Sequence, residues 1–315
     1  MSLSGMLLCL ASAASFGAMG IFGKLAYADG ATVATLLSVR FVLAAALLWL
    51  LVAFRGNGRR RLASMSRTDF GIALALGAVG YSAQAGAYFG GLQRLDASLL
   101  AMLVYTFPAM VTVAAIALGR ERASGRTAGA LILASGGLVL VFAGAAAGAL
   151  DPLGTFLGLT AAGVYATYVL ASEGISARVD SLVLSALVCT GAAATVTLAG
   201  VATGELAPAA VSPAGLGWLA ALALVSTVAA VTLFFAGLRR VGPAAAAILS
   251  CLEPLVAVGL ALAVFGEALG PVQVAGGALV LAAVVVLAGS RMCAVTVRAA
   301  IGPHEAACRG AGAGV

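Results

Sequence analysis

Charge is scarce in this chain. Of its 315 residues, 9% are Asp, Glu, Lys or Arg, against about 25% in a soluble globular domain. Histidine occurs once, as His304 near the C-terminus, and the five cysteines (Cys9, Cys189, Cys251, Cys293 and Cys308) have no paired or metal-ligand spacing. Most of them lie in apolar runs, where a free thiol behaves as a small hydrophobe. A disulfide framework and a His/Cys metal site are therefore not expected, and no cofactor is implied. Aromatic residues make up 6% of the chain and are not interleaved with the basic ones, so the net charge of +6 does not point to nucleic acid. There is no HExxH, no pair of aspartates within an apolar run, no Ser/His arrangement and no P-loop. An enzyme built on those sets and ATP-driven transport both lose their chemistry.

What the chain has in abundance is apolar length. Hydrophobic residues make up 63% of it, at a mean hydropathy of +1.15, mostly in runs of about 20 residues, the length that spans a bilayer as a helix. This indicates an all-α integral membrane protein with ten spans: Gly5 to Ala26, Thr32 to Phe54, Phe70 to Leu92, Ala97 to Leu118, Thr127 to Ala147, Gly154 to Ser172, Leu182 to Ala202, Gly215 to Leu238, Ala244 to Phe265 and Val272 to Gly289. Asp29-Gly30 should turn the first span into the second, and Arg291 to Val315 should be a poorly ordered tail. Ala11-Ser12-Ala13 has the look of a signal cleavage site. No basic segment precedes it, and the apolar run continues to Ala28, so an uncleaved first helix is expected.

The chain also repeats itself. Phe89 to Glu121 returns as Phe235 to Glu267, and one constant offset pairs Gly91 with Gly237, Arg94 with Arg240, Leu103 with Leu249, Pro108 with Pro254 and Glu121 with Glu267. Two homologous halves follow, residues 1–148 and 149–290, with 291–315 as the tail. The basic residues set the orientation. With the N-terminus inside, the inner loops hold Arg55, Arg59, Arg60, Arg61, Arg67, Arg120, Arg122, Arg126, Arg178, Arg239 and Arg240, whereas the outer positions hold Arg94 and Lys24. The positive-inside rule then predicts both termini in the cytoplasm. Five spans per half is an odd number, so the halves must be inverted relative to one another, as in many secondary transporters.

These residues resemble a known family. Gly91-Leu92 through Ala97-Ser98, Tyr105 through Pro108 and Glu121 in the first half, with Gly237-Leu238, Glu253-Pro254 and Gly266-Glu267 in the second, resemble the EamA domain. That domain occurs twice in ten-helix members of the drug/metabolite transporter superfamily. Phe16-Gly17, Tyr165-Ala166, Lys24 and Arg40 also sit where the family shows aromatic-small and basic positions. The resemblance runs from about Leu7 to Gly289. It implies a multi-pass carrier in the plasma membrane, most often an exporter of amino acids or other small metabolites. Its partners would be a small-molecule substrate and the lipid bilayer, with protons as a coupling ion. An intramembrane enzyme acting on a lipid, a small-solute uptake carrier and a facilitator are the alternatives.

Individual residues carry two readings each. Arg94 and Arg240 end helices, where a cation meets free carbonyls, and Asp96 is placed to cap the fourth span. Glu121 and Glu267 are expected as loop anchors. Pro108 and Pro254 fall mid-span, where a proline kinks a helix; they are either packing features or parts of a gate. Lys24 is near enough to an end to snorkel. Arg40 lies roughly 12–15 Å into the second span and Glu253 about ten residues into the ninth, near the midplane. A charge there costs at least ~2.5 kcal/mol on insertion scales and so faces a partner or a cavity. Arg40 and Glu253 either pair with each other, or Glu253 binds a proton or the amine of a substrate. Tyr81, Gln84 and Tyr88 share a face at i, i+3 and i+7. Together with Tyr105, Tyr165 and Tyr168 they are candidates for a wet, mostly apolar substrate pocket; interhelical hydrogen bonding is the plainer reading.

Overall fold

The computed structural model describes residues 3–56, 60, 62, 64–119, 125–143, 151–176, 178–241, 249–250 and 252–300, and among them there is helix and turn but no strand. The helices are α1 (Leu3–Gly17), α2 (Met19–Ala28), α3 (Val33–Phe54), α4 (Arg67–Ala75), α5 (Ser82–Leu92), α6 (Ala97–Val104), α7 (Phe107–Ala117), α8 (Gly125–Ala143), α9 (Pro152–Ser176), α10 (Ser181–Thr203), α11 (Pro213–Ala223), α12 (Ala230–Val241), α13 (Leu252–Phe265) and α14 (Pro271–Ala300). A π-helical turn, Leu76–Tyr81, joins α4 to α5, and a second, Leu224–Ala229, joins α11 to α12.

Several helices begin where side-chain chemistry predicts. Thr32, Ser66 and Ser212 accept from the amides of Thr35, Asp69 and Gly215 at 3.0–3.1 Å, each satisfying a donor that the first turn leaves free. Pro213, the first residue of α11, has no amide to leave unpaired. Gly30, at φ +90°, makes the expected turn between the first two spans. The last helix continues past the predicted Gly289 end to Ala300. Glu121, residues 242–248 and residues 301–315 lie outside the described residues.

The surface is apolar and the interior is partly polar, the reverse of a soluble fold. Val79, Ile132, Leu198 and Phe156 stand 64–72% exposed, while Ser12, Thr35, Arg40, Ser98, Thr106, Ser226 and Thr227 are buried. Such a body buries its outer face only in lipid. Among the described residues, seven helical stretches are long and apolar enough to cross a bilayer: Leu3–Ala28, Val33–Phe54, Arg67–Leu92, Ala97–Ala117, Pro152–Ser172, Ser181–Thr203 and Pro213–Phe234. The other three expected spans are represented among the described residues by shorter apolar stretches, Ala128–Val141, Leu252–Phe265 and Pro271–Ala283.

Small residues set how closely the helices approach. A β-carbon on Gly137 or on Gly276 would fall 2.6 Å from the other's carbonyl oxygen, so α8 and α14 touch backbone to backbone. The repeated glycines make exchanged contacts. Gly91 of α5 faces Gly154 in the first helix of the second half, and Gly237 of α12 faces Gly5 and Cys9 in the first helix of the first half. Likewise Gly17 packs on Val256 of α13, and Gly163, one repeat offset later, packs on Met110 of α7, the residue equivalent to Val256. Contacts that swap halves in this way tie the two repeats into one body.

Candidate functional site

The site begins with Arg40, which the regular α3 helix carries into the protein to 2% exposure. Its Nε donates to Thr227 Oγ1 at 3.0 Å and its Nη2 to the Tyr81 hydroxyl at 3.2 Å. The rings of Phe41, Phe89 and Tyr81 lie 5.1, 5.4 and 5.9 Å from the guanidinium carbon, and each such contact contributes about 0.5–2 kcal/mol. No carboxylate pairs with Arg40 among the described residues, so the Arg40–Glu253 ion pair, one of the two readings of these residues, is not seen. Hydroxyl and ring partners take its place.

Both hydroxyl partners belong to π turns. Tyr81 closes the first and Thr227 lies in the second. A π turn inserts a residue and leaves a carbonyl without its normal donor. Each half solves this with a hydroxyl reaching five residues back: Ser82 donates to the Gly77 carbonyl at 2.9 Å and Thr227 to the Leu222 carbonyl at 3.2 Å. Thr227 thereby mends its own helix and holds Arg40. Beside it, Ser226 donates to the Ser15 carbonyl of α1 at 2.6 Å.

From Tyr81 a string of rings crosses the protein. Tyr81 meets Tyr168 at 6.1 Å, Tyr168 stacks near Tyr165 at 6.4 Å, Tyr165 meets Phe107 at 4.4 Å, and Phe107 meets Tyr105 edge-on at 5.8 Å. The Tyr105 hydroxyl then donates to the Ser250 carbonyl. Four of the expected tyrosines, Tyr81, Tyr105, Tyr165 and Tyr168, are thus brought into one chain, with Phe107 as the link that sequence reasoning passed over. Tyr88 turns toward the first span, with its hydroxyl 3.1 Å from where a Gly20 β-carbon would stand. Gln84 is half-buried and makes no hydrogen bond among the described residues.

Pro108 differs from expectation. The fourth span is broken, not kinked: α6 ends at Val104, Tyr105 and Thr106 form a turn, and Pro108 lies in the first turn of α7. A proline there loses no hydrogen bond of its own helix, and with no amide it cannot bond back to the Val104 carbonyl that ends α6. Pro254 is buried, and the described residues around it, 249–250 and 252–265, are helical. Glu253 precedes it and is half-buried.

Lys24 does not snorkel and stands apart from this group. Its Nζ pairs with Glu267 at 2.5 Å and approaches Asp96 at 3.6 Å, with the Glu267 side chain 10% exposed. Gly266, at φ +69°, ends α13 and turns Glu267 back. The second Glu267 oxygen accepts from the amide and hydroxyl of Ser98 at 3.3 and 3.4 Å. Asp96 occupies the cap position of α6 but accepts no backbone amide; Glu267, from the other half, supplies that bond. Arg94 pairs with Asp151 at 3.5 Å, whereas Arg240 donates to the Ala236 carbonyl at 2.9 Å as expected. Next to Lys24 opens a cleft of 630 Å³ lined by Lys24, Tyr27, Leu92, Gln93, Arg94 and Phe265. Among the described residues no group of three His, Cys, Asp or Glu could hold a metal ion.

A multi-pass helical membrane protein with a polar, aromatic interior shared by two repeats is thus the class that fold and site define. Residues 3–143 and 152–289 each match the EamA-like transporter family. The chain belongs to that family, which places it among the membrane transporters of the drug/metabolite transporter superfamily. No curated protein matches it. A solved structure described only as "Crystal structure of protein" is similar at a TM-score of 0.63 and 18% identity, covering 91% of this chain and 97% of that one, and shares the fold.

Proposed function

We propose that the chain is a secondary active transporter that exports amino acids or other small metabolites across the plasma membrane by alternating access. The observation that carries this reading is the ring string from Tyr81 to Tyr105, which runs between elements of both halves. It passes a broken helix at Tyr105–Thr106 and ends at the Ser250 carbonyl of the second half. Broken helices lining a shared interior are where transporters built from repeats bind their cargo.

In this reading the chain crosses the membrane ten times and the halves are inverted, with both termini in the cytoplasm. The exchanged glycine contacts support a twofold relation, and the arginine-rich loops support the orientation. Tyr81, Gln84, Tyr88, Tyr105, Tyr165 and Tyr168 line the substrate site. Glu253 takes up a proton from one side and releases it to the other. The chain at Pro108 and at Pro254 moves as gates. The Lys24–Glu267 pair closes the outer end beside the 630 Å³ cleft.

The test is counterflow in proteoliposomes loaded with a panel of amino acids and small metabolites. At least one compound should accumulate transiently and saturably against its own unlabelled pool. A folded, reconstituted protein that moves none of them, yet turns over a lipid substrate, would make this an enzyme.

A further inference from the structure

We infer that the arginine-rich segment between α3 and α4 is a binding site for the phosphate headgroup of an anionic phospholipid.

Five arginines, Arg55, Arg59, Arg60, Arg61 and Arg67, fall within residues 55–67, and no acidic residue lies among them. Arg55, Arg60 and Arg67 are exposed, and none of the three meets a carboxylate among the described residues. The acid that follows, Asp69, is engaged elsewhere: it pairs with Arg178 at 2.8 Å and accepts from the Ser66 hydroxyl at 2.8 Å. A cluster of basic residues directly beside a membrane span attracts anionic lipid, and this one carries no counter-ion of its own.

The segment also stands where a lipid headgroup stands. α3 is 22 residues long, roughly 33 Å at the helical rise, so its end reaches the edge of the hydrocarbon. Leu50, Leu51 and Phe54 are exposed on its last turns, Phe54 to 80%. Acyl chains lying on these side chains bring a headgroup to Arg55. Leu62 and Met65 pack against the hydrophobic core, which holds the segment to the protein while Arg60 and Arg67 stay exposed. Guanidinium groups then grip phosphate oxygens in pairs.

Orientation in the membrane needs basic residues in number; it does not need Leu62 and Met65 to fix where they stand. The equivalent segment of the second half differs in kind. Ser66 and Ser212 cap equivalent helices, yet residues 201–213 hold no basic residue and one acid, Glu205. The site therefore belongs to the first half alone.

The wild-type protein in a mild nonionic detergent provides the test, with dioleoylphosphatidylglycerol and dioleoylphosphatidylcholine as probes. Binding is read from the rise in melting temperature with added lipid. The anionic lipid should bind at least ~5-fold more tightly, the factor one arginine contributes at an anionic surface. The preference should fade in about 1 M salt, where charges are screened beyond ~3 Å. Arg55→Gln, Arg60→Gln and Arg67→Gln combined should bring the ratio toward one, and the three lysine replacements should keep it. Equal binding of the two lipids by the wild type, or an undiminished preference in the glutamine variant, would overturn the inference. So would an equal rise with glycerol 3-phosphate, which would make the ligand a soluble phosphate. If the glutamine variant does not insert, a photoactivatable phosphatidylglycerol decides on the wild type. Cross-links within residues 54–67 are expected, and their absence there would contradict the site.

Discussion

Arg40 of the second span donates to Thr227 of the eighth at 3.0 Å, and this one bond carries a cation of the first half into the π turn of the second. The same guanidinium holds Tyr81 in the π turn of its own half. Both turns are departures from regular helix, and both are held by the same group. Arg40 therefore links the two π turns directly.

Thr227→Val keeps the shape and removes the acceptor. It should lower stability in detergent by about 1.5–3 kcal/mol, the range for a hydrogen bond to a charged group, read as a drop in melting temperature. Thr227→Ser should restore most of it. An unchanged melt for the valine variant would mean that Arg40 finds an equal partner elsewhere.

Lys24 and Glu267 are mostly buried and share a short bond, with Glu267 also serving the first turn of α6 through Ser98. Lys24→Met and Glu267→Gln should each destabilise the protein, and the double variant should cost less than their sum. The coupling is expected at about 0.5–3 kcal/mol, as for contacting groups, with Glu267→Gln the worse single change because it also weakens the cap. Strict additivity would show that the pair contributes nothing beyond its separate members.

Much of the scaffold was legible in the sequence and much of the site was not. Runs of apolar residues and the turn at Gly30 follow from local chemistry, which a sequence displays directly, whereas Asp96, the one cap read from it, accepts no backbone amide. The depth of Arg40 could be counted along its helix, but its partners could not. Thr227 is one threonine among many, and a π turn carries no composition that separates it from ordinary helix. Pro108 was visible, yet the break falls earlier, at Tyr105–Thr106, because a proline neither donates to nor leaves room for the carbonyl four residues back, here Val104. Lys24 looked free to snorkel because its partner Glu267 is distant in the chain and is turned back only by Gly266. Long-range pairs of this kind come from packing, not from spacing.

Pro108→Ala, and its equivalent Pro254→Ala, should leave insertion intact, and the melt of Pro108→Ala should be nearly unchanged, since Pro108 lies in a first helical turn where no hydrogen bond is lost. Transport should slow severalfold, because alanine allows the helix to extend back through the break. Normal counterflow rates in both variants would make the prolines packing features and remove them from the gate.

Glu253→Gln separates binding from coupling, because it keeps the shape and removes the titrating proton. Exchange of substrate between the two pools should persist, while acceleration by a pH gradient should vanish. A glutamine variant still driven by the gradient at the wild-type rate would exclude Glu253 as the coupling group.

The central claim is that one interior site is open to each side of the membrane in turn. Gln84, half-buried on the helix that carries Tyr81, reports this if it is replaced by cysteine in a chain whose five native cysteines have been removed. In sealed, oriented vesicles, a membrane-impermeant thiol reagent should label Gln84→Cys from one side at a time. A transported substrate in excess on the opposite side should raise that labelling by drawing the site round. Equal labelling from both sides regardless of substrate would describe a channel, and no labelling from either side, in a protein that still binds its substrate, would contradict alternating access.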